Sequence, residues 1–408
     1  MNKRILLIVI ILSLLLAAPS VVSADSGISV LEEGVELAFP ERIVFHLEAQ
    51  SEVDIVDARL RYQVSRLNYA EVTSEGWPDF VPAEIIEVSW VWDMRKSSLP
   101  PGVSITYWWT VEDAAGEIIQ TSPILLNFDD LRYDWKSLTE GSLAIYWYEG
   151  DEHFAQELMD ASQQGLLRLS SDIGTFPEKL VKIFIYASAD DLRGAMIFPQ
   201  EWSGGAAFTE FDTIVIGISP GNINWGKEAL VHELTHMVVH QAVFSPYGRL
   251  PIWLDEGLAM YNEGELSPQL QSRLDEAVKM DRLISVRSLC SSFSADPEEA
   301  YLSYAESYSL VEYLLINYGQ DKMLNLLSLF KEGSTYDNAL SQVYGFDVSE
   351  LDTRWREAVA VPVAQPAKTW MHPALIAVLS ALITVSLLAV ALALEERDWR
   401  NGLVLNDK

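Results

Sequence analysis

Two histidines four residues apart with a glutamate between them, His232-Glu233-Leu234-Thr235-His236, constrain this chain more than any other stretch. Four residues is about one turn of an α-helix, so on a helix both imidazoles leave from one face at a separation one metal ion can bridge. The surrounding sequence supports a helix over residues 225–242. Asn224 offers an N-cap, and Leu230, Leu234, Met237 and Val238 recur at helical spacing and bury one face beside the two histidines. Glu233 then sits beside the metal, where a carboxylate can accept the proton of a metal-activated water. The five-residue pattern also arises by chance, so a second element decides its weight.

That element opens at Pro251, at or just before a further helix start, and sets Ile252, Trp253, Leu254, Leu258 and Tyr261 around Glu256 as a core-facing group. Taken alone, Glu256 reads as a solvated helix carboxylate. Together with His232 and His236 it completes a two-histidine, one-glutamate set that leaves the fourth tetrahedral position for water, as a hydrolytic zinc site requires. Gly257 costs a helix about 1 kcal/mol relative to alanine, which predicts a close approach of the two helices there. A third histidine at the next turn would need glycine at 239 and histidine at 242, where the chain has Val239 and Ala242. His240 lies a turn too far along to join the same ion and is read as packing or support for the ligands.

These two stretches resemble the gluzincin metallopeptidases, most closely the peptidase MA-like group, and the run from Pro251 to Tyr261 is also similar to the corresponding one in membrane alanyl aminopeptidases. The resemblance covers roughly residues 130–358. It implies a thermolysin-like catalytic domain with His232, His236 and Glu256 as Zn2+ ligands and Glu233 as general base. Two departures limit what carries over. The aminopeptidase signature Gly-x-Met-Glu-Asn is absent upstream, and Met260 stands where a thermolysin-type aspartate would follow the ligand glutamate, so support for His232 must come from elsewhere. Downstream, Tyr301, Tyr304 and Tyr308 recur at helical spacing within a predicted helix 297–318. Such a stripe ordinarily packs into a core. The resemblance implies in addition that a residue of this region stabilises the oxyanion, which makes Tyr304 and Tyr308 the candidates.

The remaining chain reads as delivery and support. Residues 1–24 combine Lys3 and Arg4, an apolar run and a small-residue end at Ala24, as in a cleaved secretory signal peptide. Residues 25–130 hold alternating or apolar runs at 43–48, 58–64, 105–111 and 124–126, separated by turn signals, which predict an all-β immunoglobulin- or fibronectin-like sandwich. From 131 to 358 the pattern is α+β, with strands at 143–148, 180–186 and 213–218, a helix at 152–173 and helices at 266–280, 322–330, 337–344 and 349–359. The strand just before the His-Glu helix is expected to be a sheet edge that lines the cleft and adds an extended peptide as a further strand. Residues 359–373 form a stalk. The uncharged stretch 374–394 is long enough to span a bilayer, leaving 395–408 as a cytoplasmic tail.

A net charge of −31 excludes nucleic acid as a partner, since phosphate binding needs the opposite sign. The single cysteine, Cys290, allows no intrachain disulfide and reads as a small buried residue. The expectation is therefore a multidomain, single-pass cell-membrane protein whose extracytoplasmic ectodomain is a zinc metallopeptidase acting on a peptide or protein substrate. Endo- versus exopeptidase action and oligomeric state are left open. A rival of another class is a surface binding or adhesion protein with an inactive peptidase-like scaffold. The intact His232, Glu233, His236 and Glu256 weigh against it.

Overall fold

A computed structural model describes residues 27–66, 70–96, 98–197 and 204–360. Strands begin at once: β1 (Ser29–Ala38), β2 (Arg42–Val64), β3 (Ser74–Gly76), β4 (Ala83–Asp93), β5 (Val103–Asp113), β6 (Ile118–Gln120) and β7 (Ile124–Phe128). Period-two alternation explains them. Along β2, Ile43, Phe45, Leu47 and Ala49 are buried while His46, Glu48 and Gln50 between them point away. The first half of β2 pairs antiparallel with β1 and β4, and the second half with β3 and β5. The core they enclose is filled by Phe45, Tyr107, Trp109 and Phe128.

The second sheet runs in the order β11-β12-β10-β9-β8, from β8 (Lys136–Glu140), β9 (Leu143–Trp147), β10 (Val181–Tyr186), β11 (Gly205–Phe208) and β12 (Thr213–Gly217). Its three central strands are parallel and almost wholly apolar, as strands covered on both faces must be. Helix α1 (Glu152–Ile173) makes the crossover from β9 to β10. Asp151 caps its start by accepting from Phe154 N, and Gly174, at φ 63°, ends it. After the short α2 (Ala189–Arg193) the chain is mostly helical: α3 (Ile223–Val243), α4 (Ile252–Glu263), α5 (Pro268–Lys279), α6 (Val286–Leu289), α7 (Pro297–Tyr318), α8 (Gln320–Lys331), α9 (Tyr336–Tyr344) and α10 (Val348–Ala360).

The expected multidomain architecture is corrected on three counts. The N-terminal strands make one seven-stranded hydrogen-bonded sheet, not two sheets packed as an immunoglobulin- or fibronectin-like sandwich. The reason is β2, whose mostly polar residues 50–54 look like a turn in sequence but form an extended, irregular passage where the register shifts between Gln50 and Ile55. Nor is this sheet-rich region a separate domain from the peptidase-like part. The described residues from 27 to 356 form one compact unit, with Ile197 and Phe211 packed on the core of the first sheet and Lys182 Nζ donating to Gly102 O. Finally, no helix among the described residues is long and apolar enough to cross a membrane. The expected span at 374–394 and signal peptide at 1–24 lie outside the described residues.

Three local expectations also shift. The strand before the His-Glu helix is internal: β12 has β10 on one side and β11 on the other, so the edge on this side among the described residues is β11. The glycines at its start concealed it. Helix α3 begins at Ile223 after a single 3₁₀ turn over Pro220–Asn222, so Asn224 is inside the helix and caps nothing. Gly257 marks a close approach, but to α7. A Cβ there would fall on the Ser307 carbonyl oxygen, whereas α3 meets α1 through Gly165, whose Cβ would lie 2.9 Å from Val231 Cγ2.

Candidate metal centre

Helix α3 carries His232, Glu233 and His236, and its Leu230, Leu234, Met237 and Val238 are buried as the spacing requires. Helix α4 crosses it and presents Asp255, Glu256 and Glu263. At the crossing, His232 Nε2 and His236 Nε2 lie 3.1 Å apart, and Glu256 Oε2 is 3.4 Å from each. The three sequence-predicted ligands thus meet in one small triangle.

The donor set fits a metal ion on two grounds. A tetrahedral ion held at about 2.0–2.2 Å needs ligand atoms about 3.3–3.6 Å apart, close to the triangle observed. Moreover, Glu256 Oε2 is buried and makes no hydrogen bond, an orphaned acceptor facing two imidazole nitrogens. The His-His-Glu group is the one cluster among the described residues with metal-ligand geometry.

Both remaining imidazole nitrogens are engaged. His232 Nδ1 bonds Glu263 Oε1, and His236 Nδ1 bonds Asp255 Oδ1 at 2.9 Å. A carboxylate on Nδ1 keeps a proton there, so that Nε2 is the nitrogen that would give its lone pair to an ion in the triangle. The other oxygen of Asp255, Oδ2, accepts from His240 Nε2 at 2.8 Å, so His240 belongs to the support of His236 and is no ligand. Sequence reasoning missed the roles of Asp255 and Glu263. A signal for Glu263 existed: it follows Glu256 by seven residues, two turns along the same face.

Electrostatics follow the burial. Burial raises the Glu233 carboxyl above its usual range, with the imidazoles of His232 and His236 opposing the rise. Burial pushes the same way on Glu256, yet the two imidazoles win and hold it at about 2. Glu233 lies under β11: a Cβ on Gly205 would come within 3.0 Å of its Oε1 and 3.2 Å of its Cγ. The two candidate tyrosines part company. Tyr304 is edge-on to Phe293 with ring centroids 5.3 Å apart, and its hydroxyl pKa is raised by burial and then by the negative charges of Glu256, Glu233 and Glu263. Tyr308 packs on Tyr261, and its hydroxyl points to Glu312 Oε1 at 3.4 Å.

The family model of the Peptidase MA superfamily matches residues 161–361, a stretch that includes α3, α4 and α7, which supports a peptidase-like fold for that stretch. No curated protein matches the chain. Among solved structures, OgpA from Akkermansia muciniphila is similar at 13% identity and a TM-score of 0.22, over 27% of this chain and 30% of its own. An aminopeptidase N family protein from Idiomarina loihiensis is similar at 10% identity and a TM-score of 0.37, over 81% of this chain and 75% of that one. The chain therefore spans about a third of OgpA. Likenesses at these scores carry no argument about the reaction.

Proposed function

We propose that the protein is a zinc metallopeptidase of gluzincin type. The observation that carries this reading is the convergence of His232 Nε2, His236 Nε2 and the orphaned Glu256 Oε2, with Glu233 on the adjoining position of α3. A bound zinc ion would supply Lewis-acid polarisation of the scissile carbonyl and acidify a water.

The chain's own residues do the rest. Glu233, half-buried beneath β11, accepts a proton from the attacking water at its carboxylate and returns it to the leaving amine. The Tyr304 hydroxyl donates to the carbonyl oxygen as negative charge develops on it. Asp255 and Glu263 hold the imidazoles in the donating tautomer. The substrate class is a peptide or protein segment in extended form, added along β11, an edge strand of the second sheet among the described residues. We place the site outside the cytoplasm on the signal-peptide character of residues 1–24 alone.

Metal analysis of the full chain, combined with a peptide-library digest, tests the proposal on wild type and Glu233→Gln. Both proteins are expected to hold zinc, while the variant loses about 10²–10⁴-fold in kcat. Zinc in both without cleavage by either would favour the binding or adhesion reading, and absence of zinc from the wild type would end the metallopeptidase reading.

A further inference from the structure

The last turn of α4 is anchored more heavily than a helix end requires. The helix stops at Glu263, and Gly264 at φ 138° turns the chain away, so the final carbonyls lack partners within the helix. Arg168, reaching across from α1, donates Nε and Nη2 to the Asn262 carbonyl at 3.3 and 3.1 Å. The Asn262 side chain is held from the opposite side: its Nδ2 donates to Thr235 Oγ1 at 2.7 Å, and that hydroxyl donates to Val231 O at 2.7 Å within α3. Residue 262 is thereby fixed between α1 and α3, and the next residue along the backbone is Glu263, the carboxylate on His232 Nδ1.

We propose that Arg168 is a positioning residue for the metal-holding triad, setting the orientation of His232 through Asn262 and Glu263. The inference rests on the metallopeptidase reading above. Arg168 is half-buried, and taking a guanidinium out of water is costly unless its donors are used. Its planar fork places two donors on one carbonyl, a constraint that a lysine ammonium cannot reproduce. The position also answers a gap in the sequence: Met260 offers no carboxylate to His232, and Glu263, the last residue of the helix, gains an external anchor to serve in its place. A cation at a helix C-terminus also stabilises the helix in general. The two roles differ in what they move, since a purely structural Arg168 would change melting temperature and leave metal affinity alone.

The test is zinc affinity by chelator competition on the full chain, with thermal unfolding measured in parallel. Arg168→Met is expected to weaken zinc binding by roughly 10-fold, within the range seen when a residue supporting a ligand is lost. Arg168→Met combined with Glu263→Gln is expected to lose little beyond Glu263→Gln alone, because both act on the same imidazole. Zinc affinity of Arg168→Met within about two-fold of wild type, or losses that multiply in the double variant, would overturn the proposal. Should Arg168→Met fail to fold, Arg168→Lys keeps the charge with a single donor, and a loss of roughly three-fold is expected, an unchanged affinity again counting against it. A wild type that holds no zinc overturns the metallopeptidase reading, and this inference with it, an outcome distinct from a zinc-loaded wild type and an indifferent Arg168 variant.

Discussion

Buried charge is handled differently in the N-terminal sheet and in the helical region. In the sheet, Asp113 is buried but spends its oxygens on its own turn and a neighbouring strand: Oδ1 accepts from Ala115 N and Glu117 N at 3.0 Å, and Oδ2 from Ser51 Oγ at 2.8 Å. The rest of that interior is aromatic and aliphatic, with Trp109, Tyr107, Phe45 and Phe128 at its centre. In the helical region the ionisable side chains of His232, Glu233, His236, Asp255, Glu256 and Glu263 crowd one helix crossing and face each other. A carboxylate satisfied by backbone N–H groups makes a turn. Carboxylates and imidazoles aimed at a shared point, with one acceptor left over, make a place for a cation and a proton.

The contrast predicts that stability and chemistry can be lost separately. Trp109→Ala, in the sheet, removes a fully buried indole and should cost about 3–5 kcal/mol of stability, seen as a lower unfolding midpoint in denaturant. Its kcat per folded molecule should match wild type, and a large fall in kcat would show that the sheet shapes the site directly. Tyr304→Phe reverses the pattern. It should lower kcat by about 10²–10³-fold, roughly 3–4 kcal/mol, with KM and melting temperature little changed. Tyr308→Phe, whose hydroxyl meets Glu312, should stay close to wild type in kcat. Equal losses in the two tyrosine variants would remove the assignment of Tyr304 as the oxyanion donor.

How far the sequence revealed these two regions depends on whether local rules or chain crossings decided the outcome. Helix α1 was legible to the residue because Asp151 and Gly174 are local signals. The pair His232 and His236 was legible for the same reason: one helical turn fixes their spacing, and Glu256 joined them because its motif is specific. The seven-stranded sheet was not legible, since the mostly polar and exposed residues 50–54 of β2 imitate a turn. Edge strand β11 was hidden by glycine, a residue that suits its close approach to Glu233. Glu263, Asp255 and above all Arg168, which reaches Asn262 across 94 residues of sequence, act only where α1, α3 and α4 cross. Gly257 shows the boundary well: its cost announced a close approach, yet only the fold shows that the neighbour is α7.

Within the helical region itself, Glu306 gives the finest test of the contrast, because it is a buried carboxyl outside the metal crossing. Oε1 accepts from Ile284 N at 3.0 Å, while Oε2 is buried without a partner. Burial pushes the carboxyl up to about 8, against the pull of the Ile284 N–H and the charge of Arg356, with Asp352 adding to the rise. The folded protein therefore keeps a proton that the unfolded chain, with its glutamate near 4.5, gives up. Stability from this group is fully present below about pH 4.5 and is lost as pH climbs to about 8, after which it levels off. Glu306→Gln carries no such proton. Denaturant unfolding should find the variant more stable than wild type by about 1–3 kcal/mol at about pH 9, with the two curves converging near about pH 4. Parallel stability profiles across that window would show that Glu306 is ionised and satisfied like Asp113 of the sheet, and the contrast between the two regions would then narrow to the metal crossing alone.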